Sequence, residues 1–389
     1  MSVRKRTWLN AKAEEKTAWV VDYNDASGKR RLKSFKLKKD ADKFAATASI
    51  EVREGRHVAE RDSATVSQAA QLWLAAGDAA GLERSTAKQY QQHVRLHIEP
   101  LIGALNLSKL SIPIVRQFED DLATQGRSQA MVRKVMVSFG SILADAQERG
   151  LVARNVVRDM RSTRRRKSSH DTASRHKSRL RAGIDIPHPH EIKALVGALS
   201  GVWKPILITA IFTGMRSSEL RGLTWSDVDL SKAKITVSKR ADRYNQIGSP
   251  KSLAGQRTIP LPPMVVEVLT EWKERCPAGP LTLVFPTGAG NIESLTNIRR
   301  RGLIPAWEKA GIVDEKGEAK YTGLHALRHF YASWCINRPE DGGLGLPAKV
   351  VQERLGHSTI AMTLDVYGHL FPSNDNGGEL AKAQAALLG

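Results

Sequence analysis

The 389-residue chain has room for two or three domains with cores of their own. Sixty Lys and Arg against forty Asp and Glu leave a net charge of +20, which points to a polyanionic partner, nucleic acid foremost. Cys276 and Cys335 stand far apart without a C-x-x-C pattern, which argues against a disulfide framework or a cysteine zinc site, and the best apolar run, PILITAIF, is too short to span a bilayer. The basic start, MSVRKR, leads into polar sequence, so no secretory signal or membrane partner is expected.

In chain order, RTWLNA and TAWVVDY read as short strands. DASGKRR supplies turn residues, and RLKSFKLK alternates basic with apolar positions. The expectation is a small sheet with one basic face, carrying Lys29, Arg30, Arg31, Lys33, Lys36 and Lys38 as DNA contacts. A helix from Asp40 to Glu54, with Ala41, Phe44, Ala48 and Val52 at helical spacing, would close the other side. These pieces form an N-terminal module over residues 1–62.

From Thr65 to Met160 the periodicity is helical, and caps bound four segments within a domain over 63–160. Thr65 and Gln68 make a capping box, while Ser85, Ser111 and Ser128 each precede a helix-like stretch. Gly126 and Gly150 mark the ends of the last two. Residues 158–181 then hold ten Lys or Arg against two Asp, a net of +8, with almost no apolar residues. This linker, 161–185, reads either as a solvated tether or as a strap across phosphates through Arg164, Arg165, Arg166 and Lys167.

The domain over 186–374 is mostly helical, with a strand pair at AKITVSKR and RTIPL. In TGMRSSEL, Arg216 opens a helix with Glu219 three residues on, a guanidinium suited to grip phosphate; taken alone the pattern reads as a surface ion pair. In LHALRHFYASW, His325 and Arg328 share a helical face. His325 and His329 form an H-x-x-x-H pair, but Ala326 stands where a zinc hydrolase needs Glu, so no metal is expected and His329 reads as a packing residue. In VVQERLGHSTIAMTLDVYGHL, His357 follows a helix stop at Gly356, and Tyr367 comes ten residues later. A lone Tyr is by default a core residue. Beside two Arg and two His it becomes a candidate nucleophile, because a phenol with a pKa near 10 needs cations or a base to act. Lys251, on the loop between the paired strands, is either a phosphate contact or a leaving-group acid.

TGMRSSEL, PKSLAGQRTIPL, HALRHFYASW and RLGHSTIAMTLDVYGHL, in that order, resemble the tyrosine recombinase, or phage integrase, family of temperate phages and genomic islands. The resemblance implies a multidomain, mainly α fold with small β elements: a sheet-plus-helix domain for arm-type DNA sites, a four-helix core-binding domain and a mostly helical catalytic domain. It also implies Arg216, Lys251, His325, Arg328, His357 and Tyr367 as catalytic residues, with Glu219 in support. The activity implied is cutting and rejoining DNA through a 3′-phosphotyrosine, without ATP, metal or other cofactor, to integrate and excise a mobile element. Four protomers would act on double-stranded attachment sites at the nucleoid in the cytoplasm, with DNA-bending and directionality proteins as accessories. The tail over 375–389 would dock on a neighbouring protomer through Leu380, Ala383 and Leu387, or fray. A cellular recombinase, a type IB topoisomerase and a non-catalytic DNA-binding regulator are the alternatives.

Overall fold

The computed structural model describes residues 1–9, 15–25, 28–53, 63–160, 180–250, 252–371 and 378–388. They fall in two compact units, Met1–Arg175 and His176–Gly389. The basic run Arg164, Arg165, Arg166 and Lys167 lies outside the described residues, as do Lys251 and the side chains of Leu380 and Ala383.

In the first unit, β1 (Ser2–Leu9), β2 (Glu15–Asn24) and β3 (Arg30–Phe35) form an antiparallel sheet in the order β1-β2-β3. Val3 pairs with Val21, and Trp19 with Phe35, so these apolar residues share one face. The helix α1 (Lys38–Arg53) covers that face with Ala41, Phe44 and Val52.

The expectation of a basic face on β3 needs correction. Arg31, Lys33 and Phe35 are its half-buried residues, whereas Arg30, Leu32 and Ser34 are exposed. Lys33 lies 4.6 Å from the Phe44 ring and Lys38 5.5 Å from the Trp19 ring, their stems spent on aromatic surface. Arg31 is paired with Asp25 at 2.8 Å. The open face instead carries Arg4, Arg6 and Arg30 together with Asp22, which receives Arg30 at 2.6 Å and Arg4 at 3.3 Å. Alternation cannot tell which face of a strand is covered when the basic residues themselves pack on aromatics. Lys29 and Lys36 are exposed beside the strand ends.

The helical part of this unit has its own core, including Ala69, Ile98, Phe118 and Phe139. It is built from α2 (Val66–Ala79), α3 (Arg84–His93), α4 (Glu99–Ile102), α5 (Ile112–Thr124) and α6 (Gln129–Glu148). Thr65 and Gln68 form the capping box, and Ser128 caps α6 by accepting the Met131 N–H. Ser111 sits at the start of α5 without a side-chain cap bond. The third helix begins before Ser85, whose hydroxyl is spent on Glu83. It then continues through a π-turn at Val94–Ile98 into α4.

The second unit begins with α7 (Pro189–Ala198) and α8 (Lys204–Thr213). α8 is buried on nearly every side, as an all-apolar helix must be, and stops at Gly214 in the left-handed region. Next come α9 (Ser217–Gly222), β4 (Val228–Asp229), β5 (Lys234–Val237), β6 (Arg240–Ala241), β7 (Ile247–Gly248) and β8 (Arg257–Pro260). β5 pairs with both β4 and β8, so the two strands anticipated from sequence are neighbours, while β6 and β7 make a separate hairpin. α10 (Pro263–Arg275), α11 (Leu295–Asn297) and α12 (Ile304–Lys309) complete the main core, with Trp272, Ile298 and Trp307 buried. The last part holds α13 (His325–Ile336), α14 (Ala348–Leu355), α15 (Ile360–Tyr367) and α16 (Gly378–Leu388). Tyr331, Cys335, Val351, Leu355 and Tyr367 form a second cluster there. Among the described residues no helix is long and apolar enough to cross a membrane.

Candidate active site

Arg216 sits at the N-cap of α9 and donates its backbone N–H to Glu219 Oε2 at 2.8 Å, closing the first turn. Its Nη1 donates to Glu219 Oε1 at 2.9 Å and its Nη2 to the Gly356 carbonyl at 3.0 Å. Glu219 is buried, which alone would raise its pKa. The hydrogen bonds and charge of Arg257, then those of Arg216, bring it below the ordinary carboxylate range.

Arg328 projects from α13, only 3% exposed, and donates Nη1 to the Gly214 carbonyl and Nη2 to the Leu355 carbonyl, both at 2.6 Å. Burial, then the charge of Arg216, lowers its pKa to about 10, so it remains a cation at neutral pH. A guanidinium has five N–H donors in a fixed plane. Each of these two arginines is therefore aimed by backbone carbonyls while retaining donors for an anion.

Tyr367 ends α15 with 2% of its surface exposed. Its ring lies parallel to that of His357, with centroids 6.3 Å apart and planes 5° apart. His357 Nδ1 pairs with Thr363 Oγ1 at 2.9 Å, and its carbonyl accepts the Gln352 amide at 2.9 Å. The Tyr367 hydroxyl lies 2.7 Å from His329 Nδ1, and His329 meets His325 edge-on at 4.6 Å between centroids. Burial raises Tyr367 to about 12, against the opposing pull of Arg328 and Arg216. Burial also lowers His357 to about 4, helped by Arg328, Arg216, Arg257 and His325.

Segments far apart in sequence thus converge on one buried phenol. Residues 188–374 match the model of the phage integrase family, and all of these side chains lie within that span.

The second unit carries a phage integrase family domain.

Relatives of the chain include a XerC-like tyrosine recombinase of Caldanaerobacter subterraneus, 26% identical over 95% of this chain and 96% of the relative. An integrase of Streptomyces ambofaciens is 27% identical over 91% and 90% respectively. Among solved structures, the Tn1549 transposon integrase in complex with a circular intermediate DNA superposes with a TM-score of 0.63 at 20% identity, covering 84% of this chain and 100% of that one. A lambda integrase tetramer bound to a Holliday junction gives 0.55 at 16%, covering 91% and 95%. At these identities the likeness to the two structures is one of fold.

Within this domain, Arg216, Glu219, His325, Arg328, His357 and Tyr367, singled out from sequence, lie in one neighbourhood. Sequence reading passed over three further residues. Arg257 opens β8 inside GQRTIPL, a stretch whose alternation points only to a strand. Arg221, one turn past Arg216, is buried and ties the hairpin before Lys251 to the core, donating to the Glu293 carbonyl at 2.6 Å, the Asp242 carbonyl at 3.0 Å and the Asn245 side chain. His329, expected only to pack, touches the hydroxyl of Tyr367. Its i, i+4 relation to His325 was the available signal.

Proposed function

We propose that this chain is a site-specific integrase whose Tyr367 attacks a DNA phosphodiester, forming a 3′-phosphotyrosine and releasing a 5′-hydroxyl. The observation that carries the reading is the set of groups gathered around Tyr367: His329 at its hydroxyl, His357 parallel to its ring, His325 against His329, and Arg328 and Arg216 near enough for their charges to act on the phenol. Arg216 and Arg328 hold the non-bridging oxygens and stabilise the charge that grows on them in the transition state. Glu219 keeps Arg216 in place, and His325 and His357 complete the phosphate pocket. Lys251 gives the departing 5′-oxygen its proton. The bond energy stays in the phosphotyrosine, so rejoining to a partner strand needs neither ATP nor a metal.

Residues 63–160 and 186–374 clamp the duplex, residues 1–62 bind arm-type sites, and the linker 161–185 tracks phosphates between them. Four protomers exchange strands in pairs on attachment sites, with the tail over 375–389 docked on a neighbour. The DNA integrated and excised is a mobile element, and the site of action is the nucleoid in the cytoplasm. The whole-length likeness to a XerC-like recombinase favours a second reading, a cellular recombinase with the same chemistry.

Nicked duplexes tiled across the DNA that flanks the coding gene test this directly. A covalent protein–DNA adduct is expected with the wild type, in the presence of chelator, and none with Tyr367→Phe, which still binds DNA. An adduct that persists in Tyr367→Phe removes the assignment.

A further inference from the structure

A phenol held at about 12 is only about 0.001% ionised at pH 7. The arginines do not overcome its burial, so a nucleophilic Tyr367 needs a proton acceptor at its oxygen. His329 Nδ1 stands 2.7 Å from that oxygen, within the range for direct transfer. The other two imidazoles are placed differently. His357 has its Nδ1 on Thr363 and lies parallel to the tyrosine ring, while His325 packs edge-on against His329.

Resting on the tyrosine-nucleophile reading above, we propose that His329 is the general base that takes the Tyr367 proton during attack and returns it when the strand is rejoined. In the forward step the Tyr367 O–H bond breaks and its proton passes to His329 Nδ1. The phenolic oxygen forms its bond to phosphorus as the bond from phosphorus to the 5′-oxygen breaks. That oxygen receives a different proton, for which Lys251 is the candidate donor. Before attack His329 carries its hydrogen on Nε2, leaving Nδ1 as acceptor.

The imidazole is neutral at rest. Burial, then His325 and Arg328 on its own helix, holds it near 4, and Asp185, ahead of α7, opposes them. Tyr367 faces it from α15. Transfer from a phenol to so weak a base is uphill before attack. Once the oxygen is bonded to phosphorus it has almost no basicity, and the proton then remains on the imidazole. An arriving phosphodiester also offsets the arginines' charge and makes His329 more basic.

The experiment compares wild type, His329→Asn and His329→Leu on the same nicked duplexes, prepared with either oxygen or sulfur at the 5′-bridging position. A thiolate leaves without a general acid but gives no help to the nucleophile. Both variants are expected to form adduct about 100-fold more slowly at pH 7, on both substrates. On the sulfur substrate the wild-type rate stays level from pH 7 to 9, while the variants climb about tenfold per pH unit as the phenolate fraction grows. His329→Asn retains a hydrogen-bond acceptor without basicity. A wild-type rate in that variant reduces His329 to a positioning residue and overturns the proposal. Recovery of the variants on the sulfur substrate also overturns it, by moving the residue to the leaving group. His329→Asn carries the test if His329→Leu does not fold. No adduct from the wild type on any duplex defeats the tyrosine-nucleophile reading itself, and the proposal with it.

Discussion

Arg257 grips Glu219 with both Nη atoms, at 3.1 and 2.9 Å, while the other side of the same carboxyl group holds Arg216. Glu219 is 2% exposed, and Arg257 adds a bond from Nε to the Arg354 carbonyl at 2.7 Å, tying β8 to the end of α14. One carboxylate therefore sets the direction of two guanidiniums, and only Arg216 is positioned to face a ligand. Arg257→Met leaves a buried carboxylate without its fork, at a cost of about 3–5 kcal/mol. Urea unfolding measures this, and a loss below about 1 kcal/mol contradicts the role. Arg257→Lys is expected to recover little, because a point charge cannot supply two parallel bonds.

Two glycines supply the carbonyls that aim the paired arginines. Gly214, at φ 59°, accepts Arg328, and Gly356, at φ 64°, accepts Arg216. A Cβ on Gly214 would lie 2.3 Å from Cδ1 of Tyr331, a ring packed in the core. Gly214→Ala therefore combines left-handed strain with a clash, and a loss of about 1–3 kcal/mol is expected. Adduct formation should fall further than the loss of folded protein explains, since the clash shifts the carbonyl that orients Arg328. Equal losses in melting and in activity of the folded fraction would refute that coupling.

The catalytic-domain motifs were legible because each pairs a chemical group with a local structural signal. Arg216 and Glu219 sit at N-cap and third-residue spacing, and His357 follows a glycine helix stop. Arg257 was not legible, since its partner is 38 residues away and strand alternation carries no information about a distant carboxylate. The contact of His329 with Tyr367 spans another 38 residues and depends on how α13 packs against α15. The covered face of β3 failed for a different reason: Lys33 lays its ammonium over Phe44, so a basic residue occupies the side that hydropathy assigns to apolar ones.

The two histidines held near 4 make stability depend on pH. Unfolded histidine titrates near 6.5, so between pH 6.5 and 4 the unfolded chain binds more protons than the folded one. Stability contributed by neutral His329 and His357 is therefore present above pH 6.5 and lost as pH falls toward 4. Thermal melting should show a falling midpoint across that window, with a shallower fall in His357→Gln. A midpoint equally steep in that variant would rule out His357 as a contributor.

The N-terminal sheet separates charge from charge accessibility. Arg4, Arg6 and Arg30 share the open face, whereas Lys33 stands on the side that α1 covers. If this module binds duplex DNA through its open face, replacing Arg4, Arg6 and Arg30 with Gln weakens binding to distal sites. The slope of log affinity against log salt should drop by about one for each lost phosphate contact. Lys33→Met keeps the stem over Phe44 and removes only a charge that already faces the helix, so it should leave that slope unchanged. Cleavage at core sites is expected to be spared in both cases. Salt titrations of the two variants distinguish the faces: a slope that falls for Lys33→Met but not for the arginine triple would return DNA contact to the α1 side of β3.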